Sequence, residues 1–561
     1  SGARQQKHLL RENIISMLKN AGWSVEYRQR QSKDYQDAVY IDRVGRAYWS
    51  VTLAYKKFKE NIDGGNADDK DISAFVPIPE ETLRLLFRFS EKGRKARKKC
   101  GKVVSRSKSM DEKTKLRVNL GKQRTLLARR PNDGFHSDGY ELYEGKRSLL
   151  TWMLDLGTFP IGQKVIYRKG RSKRILLEGT VTKEGISCVC CNIMHTIRGF
   201  EFHAGSTLGR PFENIYLDSG NSLSQCLIDS WKKHIVEADA ISCAYVDVDG
   251  DDPNDDTCNI CGDGGDLICC DSCPSTFHHG CLNINVPSGD WNCVYCSCKF
   301  CGMAGEESSS TGNGVLLACH LCEEKFHPDC AKDTTCDKGN LFFCGKTCFK
   351  ISQQLQVLLG FRNEFEEGFS YTVLQLHNFN SDALQDADIS TVESNSKLAL
   401  ASTVMDECFQ PIIDERSGAS VIRNVVYSCG SNIRRLNYGR FFTIILEKGD
   451  ELVAAASIRI HGSSLAEMPF IGTRYMYRRQ GMCSRLLGAI EKVLSSLGIE
   501  KLVIPAISEL NETWINVFGF SQMKESKRLE MRYMSMIVFP GVDMLEKSIV
   551  QKHEQIDSTG A

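Results

Sequence analysis

Residues 477–487 read YRRQGMCSRLL, and the reading of the chain's C-terminal third turns on what these residues open. Met482, Leu486, Leu487, Ile490, Val493, Leu494 and Leu497 recur at helical spacing, and the run stops at Gly498. The first amides of such a helix, Arg479 to Cys483, have no partner inside it. A pyrophosphate suits those donors and the positive end of the dipole, and Arg478 and Arg479 add charge. Alone, the stretch reads first as an ordinary basic helix start, so its surroundings decide. Upstream, FFTIILEKGDELVAAASIRIHGSSLAEMPFIGTRYM gives two β-rich runs flanking EKGD, a hairpin signal, and a third run that ends at the loop. Downstream come KLVIPAI, a strand, and ELNETWINVFGF, a short helix ending in Gly-Phe.

This order of elements, with Arg478, Arg479, Gln480, Gly481, Met482 and Cys483 at its centre, resembles the core of the GNAT acetyltransferases, whose loop reads Q/R-x-x-G-x-G/A. Cys483 replaces the usual Gly or Ala and is compact enough for close backbone approach. The resemblance implies acetyl-CoA as cofactor, bound by those six residues together with Phe470, Ile471 and Gly472. It also implies a catalytic glutamate at Glu467, eleven residues before Arg478. A lysine ammonium with a pKa of about 10.4 must lose a proton before it attacks a thioester, so a base is required. Bordered by Ala466, Met468, Pro469 and Phe470, the carboxylate is expected to be partly desolvated with a raised pKa. From composition alone Glu467 reads instead as an exposed residue at a strand start. Trp514 stands where many GNAT relatives carry a tyrosine.

Metal chemistry is the second signal. From residue 258 the pairs run Cys258 and Cys261, Cys270 and Cys273, His278 and Cys281, Cys293 and Cys296. A second set follows without a linker: Cys298 and Cys301, Cys319 and Cys322, His327 and Cys330, Cys344 and Cys348. Thiolates two residues apart on a tight turn both reach one tetrahedral Zn²⁺. Seven Cys with His fifth, and Trp291 two residues before the last pair, resemble a PHD finger; a RING finger would put His fourth. The resemblance implies a cross-brace in which the first and third pairs share one zinc and the second and fourth the other, hence four zinc ions in two fingers. It also implies a surface that takes the histone H3 tail as an added strand. The span GDGGDLI between Cys261 and Cys270 has no aromatic residue for a trimethyl-lysine cage. Asp255, Asp256 and Asp271 match positions where fingers for unmodified tails place acids; the other reading is surface acids that solubilise the finger.

Ala21 to Tyr55 resembles a methyl-CpG-binding domain in its GW, basic strand, D-x-x-Y and G-x-x-x-x-S elements, on which Arg28, Arg30, Asp37 and Tyr40 fall. DNA contact through Arg28, Arg30 and Tyr40 is expected. Trp49 replaces the arginine that would read guanine, so methyl-CpG specificity is not. Residues 61–144 form an acidic and then basic linker, with sixteen Lys or Arg between Lys92 and Arg130 against Asp111 and Glu112. It is either a solvated linker or a polyanion contact. Residues 145–235 show short apolar runs between Gly and basic turns, as a small β-barrel would. They resemble the Tudor-like segment of plant PHD-acetyltransferases, with a distant likeness to SAND domains. Cys188, Cys190, Cys191 and His203 fit no pairwise ligand spacing and are expected to be small buried hydrophobes.

The 561 residues suit roughly three to four domains at about 150 residues each, and the 25 cysteines, grouped in pairs with His, suit metal rather than disulfides. No apolar run is long enough to span a bilayer and no secretory start is present, so a soluble intracellular chain is expected; beginning SGARQQ without Met, it leaves upstream signals unread. The reading is a multidomain α+β protein: a methyl-CpG-binding-like module (1–60), the linker, a Tudor-like barrel (145–235), PHD fingers (255–297 and 298–350), a GNAT α/β domain (351–545) and a tail (546–561). Nearly the whole chain resembles the plant Increased DNA Methylation type of histone acetyltransferase. That resemblance implies acetyl transfer to H3 lysines, a nuclear location, and partners in the H3 tail, DNA and other chromatin proteins. The alternative is a non-catalytic chromatin reader and scaffold.

Overall fold

The computed structural model describes residues 2–29, 36–48, 51–63, 75–79, 82, 140, 142–169, 174–237, 254–265, 267–285, 291–305, 314–331, 335–336, 341–377, 388–414, 416–524, 527, 530–532, 534–539 and 542–549. The basic stretch 92–130, Arg30 and Trp49 lie outside them. At the N-terminus, helices Gly2–Asn20 and Val51–Asp63 pack together beside a three-stranded antiparallel sheet, Ser24–Gln29, Gln36–Ile41 and Ala47–Tyr48. Their core holds Ile14, Trp23, Tyr48 and Phe58, with the Trp23 ring 5.3 Å from Tyr48. Tyr40, expected to touch DNA, is buried in this core, so its ring cannot reach a duplex; Arg28 keeps its place on the Ser24–Gln29 strand.

Residues 164–217 form a five-stranded antiparallel sheet in the order Met194–His195, Ile186–Cys188, Ile175–Val181, Lys164–Arg168, Ile215–Leu217. The two end strands are not paired with each other, so this is an open sheet and not the expected closed barrel. Helices Leu149–Asp155, capped by Ser148, and Leu223–Glu237 share one apolar core with helix Ile389–Cys408 of the C-terminal domain. The module is thus fused to that domain.

Among the described residues, the segments expected to be fingers have only two-residue strand pairs: Ile268–Cys269 with Thr276–Phe277, Leu317–Ala318 with Lys325–Phe326, and Thr335–Cys336 with Phe342–Phe343. Apolar cores this small need a metal to be stable. The C-terminal domain is built on an eight-stranded sheet in the order Arg362–Glu364, Phe369–Leu374, Phe441–Lys448, Glu451–His461, Leu465–Thr473, Lys501–Ala506, Asp543–Ser548, Ser521–Gln522. Among the described residues, the parallel ladder of this sheet joins Leu465–Thr473 to Lys501–Ala506. Helices Ile389–Cys408 and Met482–Ser496 pack on the central strands, which explains why Glu451–His461 is buried along its whole length. EKGD is the expected hairpin, turning at Gly449 (φ +66°). The 482–496 helix buries Met482, Leu486, Leu487, Ile490, Val493 and Leu494 and ends at Gly498, whose φ of +72° a β-carbon would resist. Among the described residues no helix is long and apolar enough to cross a membrane.

Candidate active site and metal centres

The metal pairing expected from sequence is met in space. Cys258, Cys261, His278 and Cys281 form one group, Cys270, Cys273, Cys293 and Cys296 a second, Cys298, Cys301, His327 and Cys330 a third, and Cys319, Cys322, Cys344 and Cys348 a fourth. Within each group the ligand atoms lie within 4.8 Å of one another, and nearest approaches such as Cys273 to Cys293 (3.5 Å) and Cys301 to His327 (3.4 Å) are those of atoms around one tetrahedral ion. Each is a closed four-ligand set and therefore suits a structural metal. A fifth group, Cys188, Cys190, Cys191 and His203, corrects the expectation of small buried hydrophobes, because only Cys188 is buried.

The three acids have different fates. Asp255 is 2 % exposed and accepts hydrogen bonds from Arg435 Nε (2.5 Å) and Nη2 (2.8 Å), and Arg435 Nη1 reaches Asp414 (2.5 Å). Asp255 therefore anchors the first finger to the C-terminal domain and is closed to a tail. Asp256 is partly exposed, with Arg435 Nη2 3.8 Å away, and Asp271 accepts the Trp291 amide at 2.7 Å.

At the loop, Gly481 caps the helix with φ +78° and Arg479 takes φ +60°, which turns successive amides the same way. The first amide bond of the helix runs from Arg485 to the Gly481 carbonyl (3.0 Å), so the amides of Met482, Cys483 and Ser484 precede it. Arg479, Gln480 and Gly481 are exposed, while Arg478 Nε donates to the Thr473 carbonyl (3.2 Å). Burial pushes the Cys483 thiol up to about 11, so it is a neutral spacer.

The parallel ladder is short, pairing Ala466 with Leu502 and Glu467 with Val503, and beyond Glu467 the two strands separate. A bulge falls at the same place, since Phe470 pairs with Ser457 but Glu467 with Arg459. Among the described residues, the backbone of 468–472 thus has no strand partner on the side of the parting strand and is open to an extended amide-bearing chain, while the Thr473 carbonyl is already taken by Arg478 and Cys408. Phe470 contributes backbone only, because its side chain is buried between Phe409 (5.5 Å) and Phe539 (5.7 Å). Ile471 is partly buried. Gly472 is explained by packing: a β-carbon there would lie 2.7 Å from Cys408 Sγ. Donors, charge and open strand together could take a pyrophosphate joined to an extended amide-bearing chain.

Glu467 is buried, 2 % exposed, as desolvation by its apolar neighbours requires. Its surroundings reverse the expected pKa shift. Oε1 accepts from Arg459 Nε (2.6 Å) and pairs with His461 Nε2 (3.0 Å), and Oε2 accepts the Ile537 amide (3.0 Å). Burial pushes the carboxyl up, but the Arg459 charge, the His461 contact and the Ile537 amide more than offset it and hold it below its ordinary value of 4.5. The sequence reading missed Arg459 and His461, although both sit on the strand that precedes Glu467 and alternate toward its face. Ile537 belongs to a segment that also lines a cavity of about 460 Å³ between the first finger and the C-terminal domain. Asn259, Asp263 and Tyr295 line it on the finger side, and Met531, Met534 and Met536 on the other. Trp514 lies in the core against Phe518 (4.9 Å) and is no proton donor to this site.

Residues 409–548 match the family described as Increased DNA methylation 1, C-terminal domain; residues 179–230 match the Tify domain binding domain, and residues 1–62 a domain of unknown function. Increased DNA methylation 1 of Arabidopsis thaliana is 33 % identical over 497 residues, 82 % of this chain and 41 % of that protein, so the chain spans under half of that relative's length. E3 ubiquitin-protein ligase TRIM33 of Homo sapiens is 51 % identical over 49 residues, 8 % of this chain and 4 % of that protein. Among solved structures, Tetrahymena GCN5 aligns at 14 % identity over 21 % of this chain and 75 % of its own, with a TM-score of 0.19. The ribosomal-protein-S18-alanine N-acetyltransferase from Escherichia coli aligns at 16 % over 21 % and 74 %, with a TM-score of 0.16. The chain is a homologue of Increased DNA methylation 1 of Arabidopsis thaliana, and its residues 409–548 match the C-terminal domain of that family.

Proposed function

We propose that the protein is a nuclear, chromatin-bound lysine acetyltransferase that reads the histone H3 tail with its first finger and acetylates H3 lysines from acetyl-CoA. One observation carries this reading: the parted strands, with the Gly481 helix start at one end, lead to a buried carboxylate whose own partner, Ile537, borders a cavity shared with the finger. Residues 468–472 and 478–483 would hold acetyl-CoA, which supplies an activated acyl thioester. Glu467 would take the lysine proton directly or through one water. Its lowered pKa makes it an ionised acceptor at neutral pH, and the Ile537 bond is the contact to be released when substrate enters the cavity. Four zinc ions hold the two fingers, which we read as PHD fingers. Asp256 and Asp271 remain the acids offered to an unmodified tail. Arg28, with Arg30, is the proposed DNA contact, through a methyl-CpG-binding-like module. The 145–235 module, read from sequence as Tudor-like, is proposed to dock a chromatin or transcription partner, of Tify type by the name of the family it matches.

The fully engaged state of Glu467 favours a second reading, a chromatin reader and scaffold on an acetyltransferase fold without turnover. CoA release on H3 tail peptides, measured alongside acetyl-CoA binding, separates the two. Turnover that Glu467→Gln abolishes while binding persists supports the enzyme; binding without turnover in the wild type overturns it. Calorimetry with H3 peptides, unmodified or trimethylated on the lysine at position four of the tail, tests the reader, and equal or tighter binding of the methylated peptide rules out the acids' role.

A further inference from the structure

The four side chains set aside by the sequence reading, Cys188, Cys190, Cys191 and His203, meet outside the fingers in the 164–217 sheet module. We propose that they hold a fifth zinc ion, a closed Cys₃His structural site that ties the end of strand Ile186–Cys188 to the end of helix Ile197–His203.

The distances fit. Cys188 Sγ is 3.1 Å from Cys190 Sγ, and His203 Nε2 is 3.2 Å from Cys190 Sγ and 3.5 Å from Cys191 Sγ. A tetrahedral zinc with Zn–S of ~2.3 Å and Zn–N of ~2.0 Å sets ligand atoms about 3.5 to 3.8 Å apart. The finger groups of the same chain show 3.2 Å for Cys261 to His278 and 3.8 Å for Cys322 to Cys344.

The backbone supplies an independent sign. Cys188 N donates to Ile193 O (3.1 Å), Asn192 N donates to Cys188 O (2.9 Å), and Asn192 is left-handed at φ +56°. The same two bonds, with the fifth residue of the turn left-handed, recur at three finger turns. They are Cys258 (2.8 and 2.9 Å, Gly262 at +76°), Cys298 (2.8 and 2.8 Å, Gly302 at +73°) and Cys319 (3.0 and 3.0 Å, Glu323 at +60°). Cys188 and Cys191 therefore form a C-x-x-C metal turn, disguised in sequence by Cys190 between them. Packing does not explain the set, because Cys190 and His203 are exposed while a thiol kept for its bulk would be inside. Three thiolates and one imidazole at these spacings suit zinc over the hard oxygen-seeking cations. His195 stacks on His203 with ring centroids 4.5 Å apart and has its Nε2 3.8 Å from Cys191 Sγ, beside the four-atom group rather than within it.

Zinc content of the purified full chain should fall by one ion in Cys191→Ser and in His203→Asn, and should hold in His195→Asn. All these chains share the same fingers, so incomplete finger loading lowers every value and leaves the differences intact. Equal zinc in all four proteins overturns the proposal. Wild-type protein gives a second readout that needs no variant: the exposed Cys190 should resist iodoacetamide in the native state and become reactive once a chelator is added. Rapid alkylation before chelation overturns the proposal, as does a block that only a reductant lifts, which would mark a disulfide.

Discussion

At the scale of single residues, Glu467 shows how neighbours set the behaviour of a buried acid. Its apolar flanks desolvate it, yet Arg459 at 2.6 Å lies 2 % exposed beside it and needs the negative charge as much as Glu467 needs the positive one. Breaking one side of a buried pair costs about 3–5 kcal/mol, so Glu467→Gln, which keeps one acceptor oxygen, should cost a value near the lower end. The folded pKa lies below the ordinary 4.5, so this stabilisation is fully present above that pH and fades as pH falls through the folded value. Urea midpoints of wild type and variant should therefore differ at pH 7 and converge under acid; equal midpoints at pH 7 would show that the pair contributes nothing. Gly472→Ala tests packing in the same way. A β-carbon 2.7 Å from Cys408 Sγ should cost about 1–3 kcal/mol without acetyl-CoA present, read as a lower Tm of the free protein.

At the scale of elements, the helix at 482–496 was legible because its apolar positions repeat every three or four residues and a glycine ends it. The reading of the loop before it as an anion site rests on the two strands and hairpin that precede it. Gly481 carries the conformational burden at φ +78°, and no atom lies within 4 Å of where its β-carbon would sit. Gly481→Ala should thus cost only about 1–2 kcal/mol of backbone strain and leave the fold intact. The amides it aims should lose register, and acetyl-CoA affinity by calorimetry should drop several-fold; unchanged affinity would place the pyrophosphate elsewhere. The finger pairings were readable from spacing, since C-x-x-C turns are local. Of the partners of Glu467, Arg459 and His461 stand on the preceding strand within reach of a pairing argument, whereas Ile537 was not legible because it approaches from seventy residues away. Tyr40 and Asp255 were misread for the same reason: a motif position does not say whether tertiary packing will bury it. The open sheet of the 145–235 module also escaped the reading, since short alternating runs look alike in a barrel and in a sheet.

At the scale of the molecule, the modules are locked together by buried polar contacts, and one of them titrates. Helix Leu223–Glu237 lies against the C-terminal domain, and His234 at its end meets Tyr427 Oη at 3.1 Å while packing on Trp152 (5.6 Å) and Trp231 (5.6 Å). Burial, aided by the positive charge of Arg423, pulls the His234 pKa down from 6.5 to about 4. Arg423 is the charged group that acts on the imidazole, and it opposes the added proton rather than compensating it. Above about pH 6.5 the imidazole is neutral in both the folded and unfolded chain and gives no pH dependence. Between 6.5 and 4 the unfolded chain binds a proton that the folded one refuses, so stability falls as pH falls, by up to about 3 kcal/mol at the lower limit. Helix Leu223–Glu237 should then loosen from Ile389–Cys408 while the zinc groups, on other elements, still hold metal near pH 6. Thermal unfolding followed from pH 7.5 to 5 should show an acid-sensitive transition that His234→Gln flattens, because a neutral amide can keep the Tyr427 hydrogen bond without titrating. If the variant and the wild type lose stability in parallel over that range, His234 is not the group that couples the 145–235 module to the C-terminal domain.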